Sequence, residues 1–300
     1  AIETTFAFWQ NLELKNPGLK NNWRWQQLVM RSYYDTYTRR RKIYEQGLER
    51  NADAALETAD VIGSDKAMDS ALAIVNEADK NRVSPELRQK VVDYCAALFE
   101  SIGMQTSVKK YNASGEERGA ILDFIDYPLN NRWWLSDEFA KIRKMNAEEE
   151  KLARLKIIYT WENPGFGSYY DDISNISKEP HVKTWSDDAT DVAWWDNGMS
   201  RKRLSTQLFQ NFPKLVYEGL NPKAHYVIRI AGYGEALLRI DGVRVAPTVY
   251  NKELEQFKEF AVPVKDVCDG KIEVTFDEPE ESGINWRKRS KVCDVWLLKQ

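Results

Sequence analysis

Residues able to do chemistry crowd into one stretch, Trp161-Glu-Asn-Pro-Gly-Phe-Gly-Ser-Tyr-Tyr-Asp-Asp172. Carbohydrate recognition needs flat aromatic faces against the C–H faces of sugar rings, with carboxylates and amides accepting from hydroxyls. Trp161, Tyr169, Tyr170, Asp171 and Asp172 supply both, and Trp185, Trp194 and Trp195 follow with Asp187, Asp188, Asp191 and Asp196. The competing reading is structural: the tryptophans fill an interface between domains and the aspartates make turns. The same acidic residues invite a calcium ion, a cation that takes six to eight oxygens. Asp171, Asp172, Asp187 and Asp188 are then the ligands, although their spacing is not that of an EF-hand.

A second cluster lies upstream, with Asp123 and Asp126 followed by Asn130, Asn131, Arg132, Trp133 and Trp134. It either holds a sugar beside Arg132 or is local architecture, with Asp123 and Asp126 capping helices or pairing with Arg118 and Arg132. A hydrolase needs two carboxyl groups flanking the scissile bond. Asp126 or Glu162 with Asp171 or Asp172 can fill those roles, but carboxylates are common and the signal is unspecific. His181 is either a base or a hydrogen-bonding residue at a strand start. Gly165-x-Gly167 lacks a third glycine and a following helix start, which excludes a dinucleotide loop.

Composition removes other classes. The chain has 43 basic and 46 acidic residues and a formal charge of -3, so it has no global attraction for nucleic acid or an anionic membrane. Arg39–Lys42 and Arg287–Arg289 read as a solvated helix face and a charged loop. Cys95, Cys268 and Cys293 form neither a disulfide framework nor a metal-ligand pattern. Cys95 falls in an apolar helical pattern, and Cys268 and Cys293 pair only if their strands are neighbours. His181 and His225 are the only histidines, too few for a multi-histidine zinc site. No apolar run is long enough for a membrane span. The chain carries no signal peptide and starts at Ala1, which fits a processed chain or a piece of a longer one.

The elements that must position these residues divide into two halves. Apolar residues at steps of three and four from Trp25 to Leu48 predict an amphipathic helix over about 22–51. Further helices are expected over 52–62 and 66–78, over 84–101 with Ser84 as N-cap and Pro85 at the first helical position, and from Ser136 to about Leu155. About six antiparallel helices make a domain over residues 1–155. From Leu155 onward, β-branched and aromatic runs and the turns Asp241-Gly242 and Asp269-Gly270 predict short strands, starting with Leu155–Trp161. The expected fold is α+β in two domains: the antiparallel α-helical domain, then an antiparallel β-sandwich over 156–300, most simply a jelly roll.

Three segments carry a resemblance: Leu220-Asn-Pro-Lys-Ala-His-Tyr-Val-Ile-Arg-Ile-Ala231, Leu237-Leu-Arg-Ile-Asp-Gly-Val243 and Cys293-Asp-Val-Trp-Leu-Leu-Lys299. They resemble galactose-binding-like β-sandwich domains, frequent C-terminal modules of bacterial polysaccharide-degrading proteins. The whole chain looks like the C-terminal region of large secreted proteins of that kind, in which a helical segment precedes Trp-x-Asn-Pro-Gly and Tyr-Tyr-Asp-Asp. The resemblance implies a secreted or periplasmic setting, carbohydrate as partner and at most a structural calcium. It identifies no catalytic group.

The leading expectation is therefore a non-catalytic, carbohydrate-associated region of a larger polysaccharide-processing protein. One alternative is a glycoside hydrolase or lyase with its carboxylate pair at an interdomain groove, where the surface around Asp126 and Arg132 meets Tyr169–Asp172. The other is a scaffold for an adjacent domain or chain of the same protein.

Overall fold

The computed structural model describes residues 1–114, 121–173, 180–184, 190–192, 201, 204–208, 212–250, 256–277 and 290–300. Trp185, Trp194, Trp195, Asp187, Asp188, Asp196, Arg118 and Arg287–Arg289 lie outside them. Helices occupy the N-terminal part and antiparallel strands the C-terminal part.

The helices are α1 (Ile2–Lys15), α2 (Trp23–Leu56), α3 (Ala59–Ile62), α4 (Ser64–Val75), α5 (Glu77–Lys80), α6 (Pro85–Ile102), α7 (Val108–Tyr111), α8 (Ile121–Phe124), α9 (Arg132–Ile142) and α10 (Glu148–Tyr159). A 3-10 turn, Pro17–Asn21, joins the first two. Among the described residues no helix is long and apolar enough to cross a membrane. The contacts divide the chain into two compact units. One comprises Ala1–Ala55 and Lys66–Arg132, the other Leu56–Asp65 and Trp133–Gln300. Thus α9 and α10, which the sequence pattern assigns to the helical domain, count with the sheets.

In the first unit, Trp25, Val29, Met30, Tyr33 and Tyr37 of α2 pack with Leu87, Val91, Cys95 and Leu98 of α6 and with Phe6 of α1. Both long helices show the expected periodicity of about 3.6 residues. Pro85 opens α6 as expected, but Ser84 does not cap it. Its φ is 52° and its side chain makes no cap bond. Gly103, with φ 68°, ends the helix in the left-handed conformation.

The second unit corrects the first expected strand. Leu155–Tyr159 lies in α10, not in a strand. Three glutamates, Glu148–Glu150, occupy the first turn, where the helix dipole favours anions. The Glu148 carboxylate also accepts from Ser64 N and Oγ, both at 2.9 Å. Leu155 and Ile158, three apart, are both wholly buried, as a helical stripe requires. The short Ile157-Ile158 run suits either state, and the acidic turn with its stripe decides it. Ser136, expected as a cap, sits inside α9.

The strands are β1 (Tyr169–Asp172), β2 (Val182–Thr184), β3 (Thr190–Val192), β4 (Leu204–Gln207), β5 (Lys214–Glu218), β6 (Tyr226–Tyr233), β7 (Leu238–Ile240), β8 (Val243–Arg244), β9 (Gln256–Ala261), β10 (Lys271–Phe276) and β11 (Lys291–Lys299). One sheet runs β3-β4-β11-β6-β9, and the other β2-β5-β10-β7-β8. β11 is the hub of the first. β6 pairs with it along its length, while β4 takes Lys291 and Val292 and β1 takes Asp294–Leu297. Its register with β6 shifts between Val292 and Asp294. There Gly232 leaves no room for a side chain, because a Cβ would stand 2.0 Å from the Lys291 carbonyl oxygen. The sheets share one core, with Ile228, Ile230, Val295 and Leu297 from the first and Leu215, Tyr217, Ile240, Ile272 and Val274 from the second. Cys268 is exposed and Cys293 buried, and no disulfide joins them, so the conditional pairing does not form.

Candidate functional site

The stretch singled out in the sequence enters the sheet as β1, beside β11. Side chains alternate along a strand, so Tyr169 and Asp171 share one face and Tyr170 and Asp172 the other. In register, Tyr170 stands beside Trp296 and Asp172 beside Asp294.

On the inner face Asp171 is wholly buried. One carboxylate oxygen lies 2.8 Å from His181 Nδ1, and the other accepts from the Tyr217 hydroxyl at 2.8 Å. The His181 ring packs against Tyr169 and Tyr217, with centroids 5.0 and 4.7 Å away. An aspartate holding an imidazole makes two of the three members of a nucleophilic triad. Among the described residues no hydroxyl or thiol bonds to the other imidazole nitrogen. At the start of β2, His181 makes the hydrogen bond expected of a residue at a strand start. Asp171 and Asp172 point to opposite faces, so they do not act together as calcium ligands. Among the described residues no cluster of three or more metal-ligating side chains occurs.

On the outer face the aromatics are used internally. Asp294, wholly buried, accepts from Trp161 Nε1 at 3.1 Å and from the Tyr170 hydroxyl at 2.6 Å. Trp296 Nε1 donates to the Trp161 carbonyl at 2.7 Å. The Trp161 ring meets Trp134 and Trp296 edge-on at 5.3 and 4.9 Å and is 1% exposed, so neither of its faces is open to a sugar. Burial, reinforced by Asp294, pushes the Tyr170 hydroxyl far above its ordinary pKa and keeps it a neutral donor. Arg201, which sequence reasoning missed, lies over the rings of Trp134 and Trp161 at 5.6 and 5.3 Å. Its guanidinium is 3.8 Å from Glu162, whose side chain is exposed. Arg201 and Asp294 sit far from the aromatic-rich stretch in sequence, and only the strand pairing brings Asp294 to it.

In the first unit, Asp126 is enclosed by cations. Arg88 contacts both its oxygens at 2.7–3.0 Å, Arg82 adds a contact at 3.1 Å and the Tyr37 hydroxyl donates at 3.0 Å. Burial raises this carboxyl, but the Arg88 bonds, with those of Tyr37 and Arg82, outweigh it and hold it below the ordinary value. Tyr37 is pushed up to about 12, mainly by burial and then by the Asp126 charge. Arg132 is buried rather than presented to a ligand. It donates to Glu45 at 3.0 Å, Asn130 at 2.8 Å and Asp79 at 2.8 Å. Glu45 in turn accepts from Arg41 at 2.6 Å and from Leu129 N at 2.7 Å. Asp123 accepts from Ser107 Oγ at 2.8 Å and from Val108 N at 2.6 Å at the start of α7, the capping role the sequence left open.

Arg132 thus anchors a buried ion network, Trp161 and Tyr170 order the contact between β1 and α10's following turn, and both oxygens of Asp126 and of Asp171 are held by neighbouring side chains. No protein-family model matches this chain, and no curated protein matches it.

Proposed function

We propose that this chain is a non-catalytic, carbohydrate-associated region of a larger secreted polysaccharide-processing protein, with its sheets forming a galactose-binding-like jelly roll. The observation that carries the non-catalytic reading is the state of Asp126. A general acid needs a carboxyl held protonated near neutral pH. Two arginines and a tyrosine do the reverse at Asp126. Asp171 is equally committed, to His181 and Tyr217.

Support for the carbohydrate setting comes from the three resembling segments. The first runs into β6, the second spans β7 and the start of β8, and the third lies in β11. All three contribute to two antiparallel sheets that share one core.

The test is a glycan array probed with the full chain, followed by reducing-end assays on each glycan that binds. Binding without turnover is the expected result. Turnover overturns the non-catalytic reading, and an array without binding transfers the assignment to a scaffold.

A further inference from the structure

The helical unit contains a cavity of about 450 Å³ that none of the residues discussed above as functional candidates lines. It lies among α1, the 3-10 turn, α2 and α6, and its size falls within the roughly 300–1,000 Å³ of small-molecule sites. Glu13 of α1 lines it and is only 7% exposed. The Tyr94 hydroxyl donates to one oxygen of this carboxylate. Among the described residues no second donor reaches the Glu13 side chain.

A carboxylate on the wall of a cavity with one protein donor keeps acceptor sites for a ligand, since a carboxylate offers about four lone-pair sites. Tyr94 stays a donor here, because burial and its bond to Glu13 raise its pKa. Beside Glu13 stands Gln26, 7% exposed, its amide placed by the Lys20 carbonyl at 2.7 Å and by Ser101 Oγ at 3.3 Å. Gln10, Lys20, Lys90 and Asp93 complete the polar lining. Two carboxylates and two ammoniums balance, so the cavity does not select a strongly charged ligand. Among the described residues the lining includes no His, Cys or Ser.

We propose that this cavity binds a neutral, hydroxyl-rich ligand of one or two sugar rings, with Glu13 accepting from its hydroxyls. The inference rests on the carbohydrate reading above and gives it a location in the helical unit instead of in the aromatic stretch of the sheets. Hydroxyls supply the donors Glu13 lacks, the lysines and Gln26 serve ring and hydroxyl oxygens, and Tyr94 with Tyr33 presents apolar surface.

The experiment is saturation-transfer NMR on the full chain with glucose, galactose, mannose, xylose and their β-1,4-linked disaccharides at millimolar concentration. It is repeated on Glu13→Gln, which keeps an acceptor for Tyr94, and on Ala97→Trp, which fills the cavity from α6. Circular dichroism verifies that each variant folds. At least one sugar should bind the wild-type chain and lose roughly tenfold or more in affinity in both variants, the scale of a charged hydrogen bond. A sugar that binds wild type and variants alike overturns the cavity assignment and leaves the carbohydrate reading standing. No signal from any sugar on the wild-type chain also overturns the cavity assignment, and the glycan array then decides the carbohydrate reading.

Discussion

Asp126→Asn separates a carboxylate built for stability from one held for chemistry. Arg88 makes three contacts with Asp126 between 2.7 and 3.0 Å, and each side chain of the pair is 29% exposed. Hydrogen bonds to charged groups contribute about 1.5–3 kcal/mol when sheltered, and solvent screening lowers this at partly exposed sites. Asparagine keeps an acceptor for Tyr37 but sets an NH₂ group against guanidinium donors. The expected loss is about 2 kcal/mol at pH 7, measured as the shift of the urea unfolding curve followed by circular dichroism. An Arg88→Met, Asp126→Asn double-mutant cycle should show a coupling of about 1 kcal/mol. The folded-state pKa of Asp126 lies below its unfolded value. Its contribution is therefore fully present above the unfolded carboxylate pKa, about 3.9, and is lost as pH falls through the folded pKa. The wild-type and mutant curves should converge on acidification. A variant as stable as wild type at pH 7, or more stable, would refute the reasoning, because relief on neutralisation is what a strained catalytic carboxylate gives.

Other substitutions probe other parts of the argument. Trp161→Phe removes a buried donor to Asp294 and some ring volume, and should cost about 2–3 kcal/mol with a change in near-ultraviolet circular dichroism. Arg132→Met should cost about 3 kcal/mol in urea unfolding, at the low end for a broken buried pair because Arg41 and Leu129 N still hold Glu45. Gly232→Ala drives a Cβ into the Lys291 carbonyl, and should cost about 3 kcal/mol or more and lower the melting temperature of the sheet unit. Phe166, 97% exposed, should tolerate Ser with a change of about 0.5 kcal/mol or less.

How much of this was legible in the sequence depended on the range of the interaction. β6 was visible because Tyr226, Ile228 and Ile230 alternate within one segment, and α2 and α6 because their apolar steps are local. Residues 155–161 misled because two neighbouring β-branched residues resemble a strand until Glu148–Glu150 and the buried spacing of Leu155 and Ile158 are weighed. The aromatic density around Trp161 was real, but its meaning was not local. Whether Trp161 faces a ligand or a neighbour is decided by Asp294 and Trp296, which strand pairing delivers from the far end of the sequence. The Glu13 cavity gave no sequence signal at all, since its polar lining is drawn from three helices and a turn and has no shared spacing.

The central place of β11 also shapes how the protein is made. β1, β4 and β6 all hydrogen-bond to it, yet it follows every one of them in the chain. A ribosome adding about 5–20 residues per second needs roughly 3–12 s to pass from the end of β6 to the start of β11. During that interval the long edge of β6 waits without its native neighbour, the situation in which strands recruit the wrong partner. A nascent-chain-binding chaperone has its natural window there, and slow codons between β6 and β11 would lengthen it.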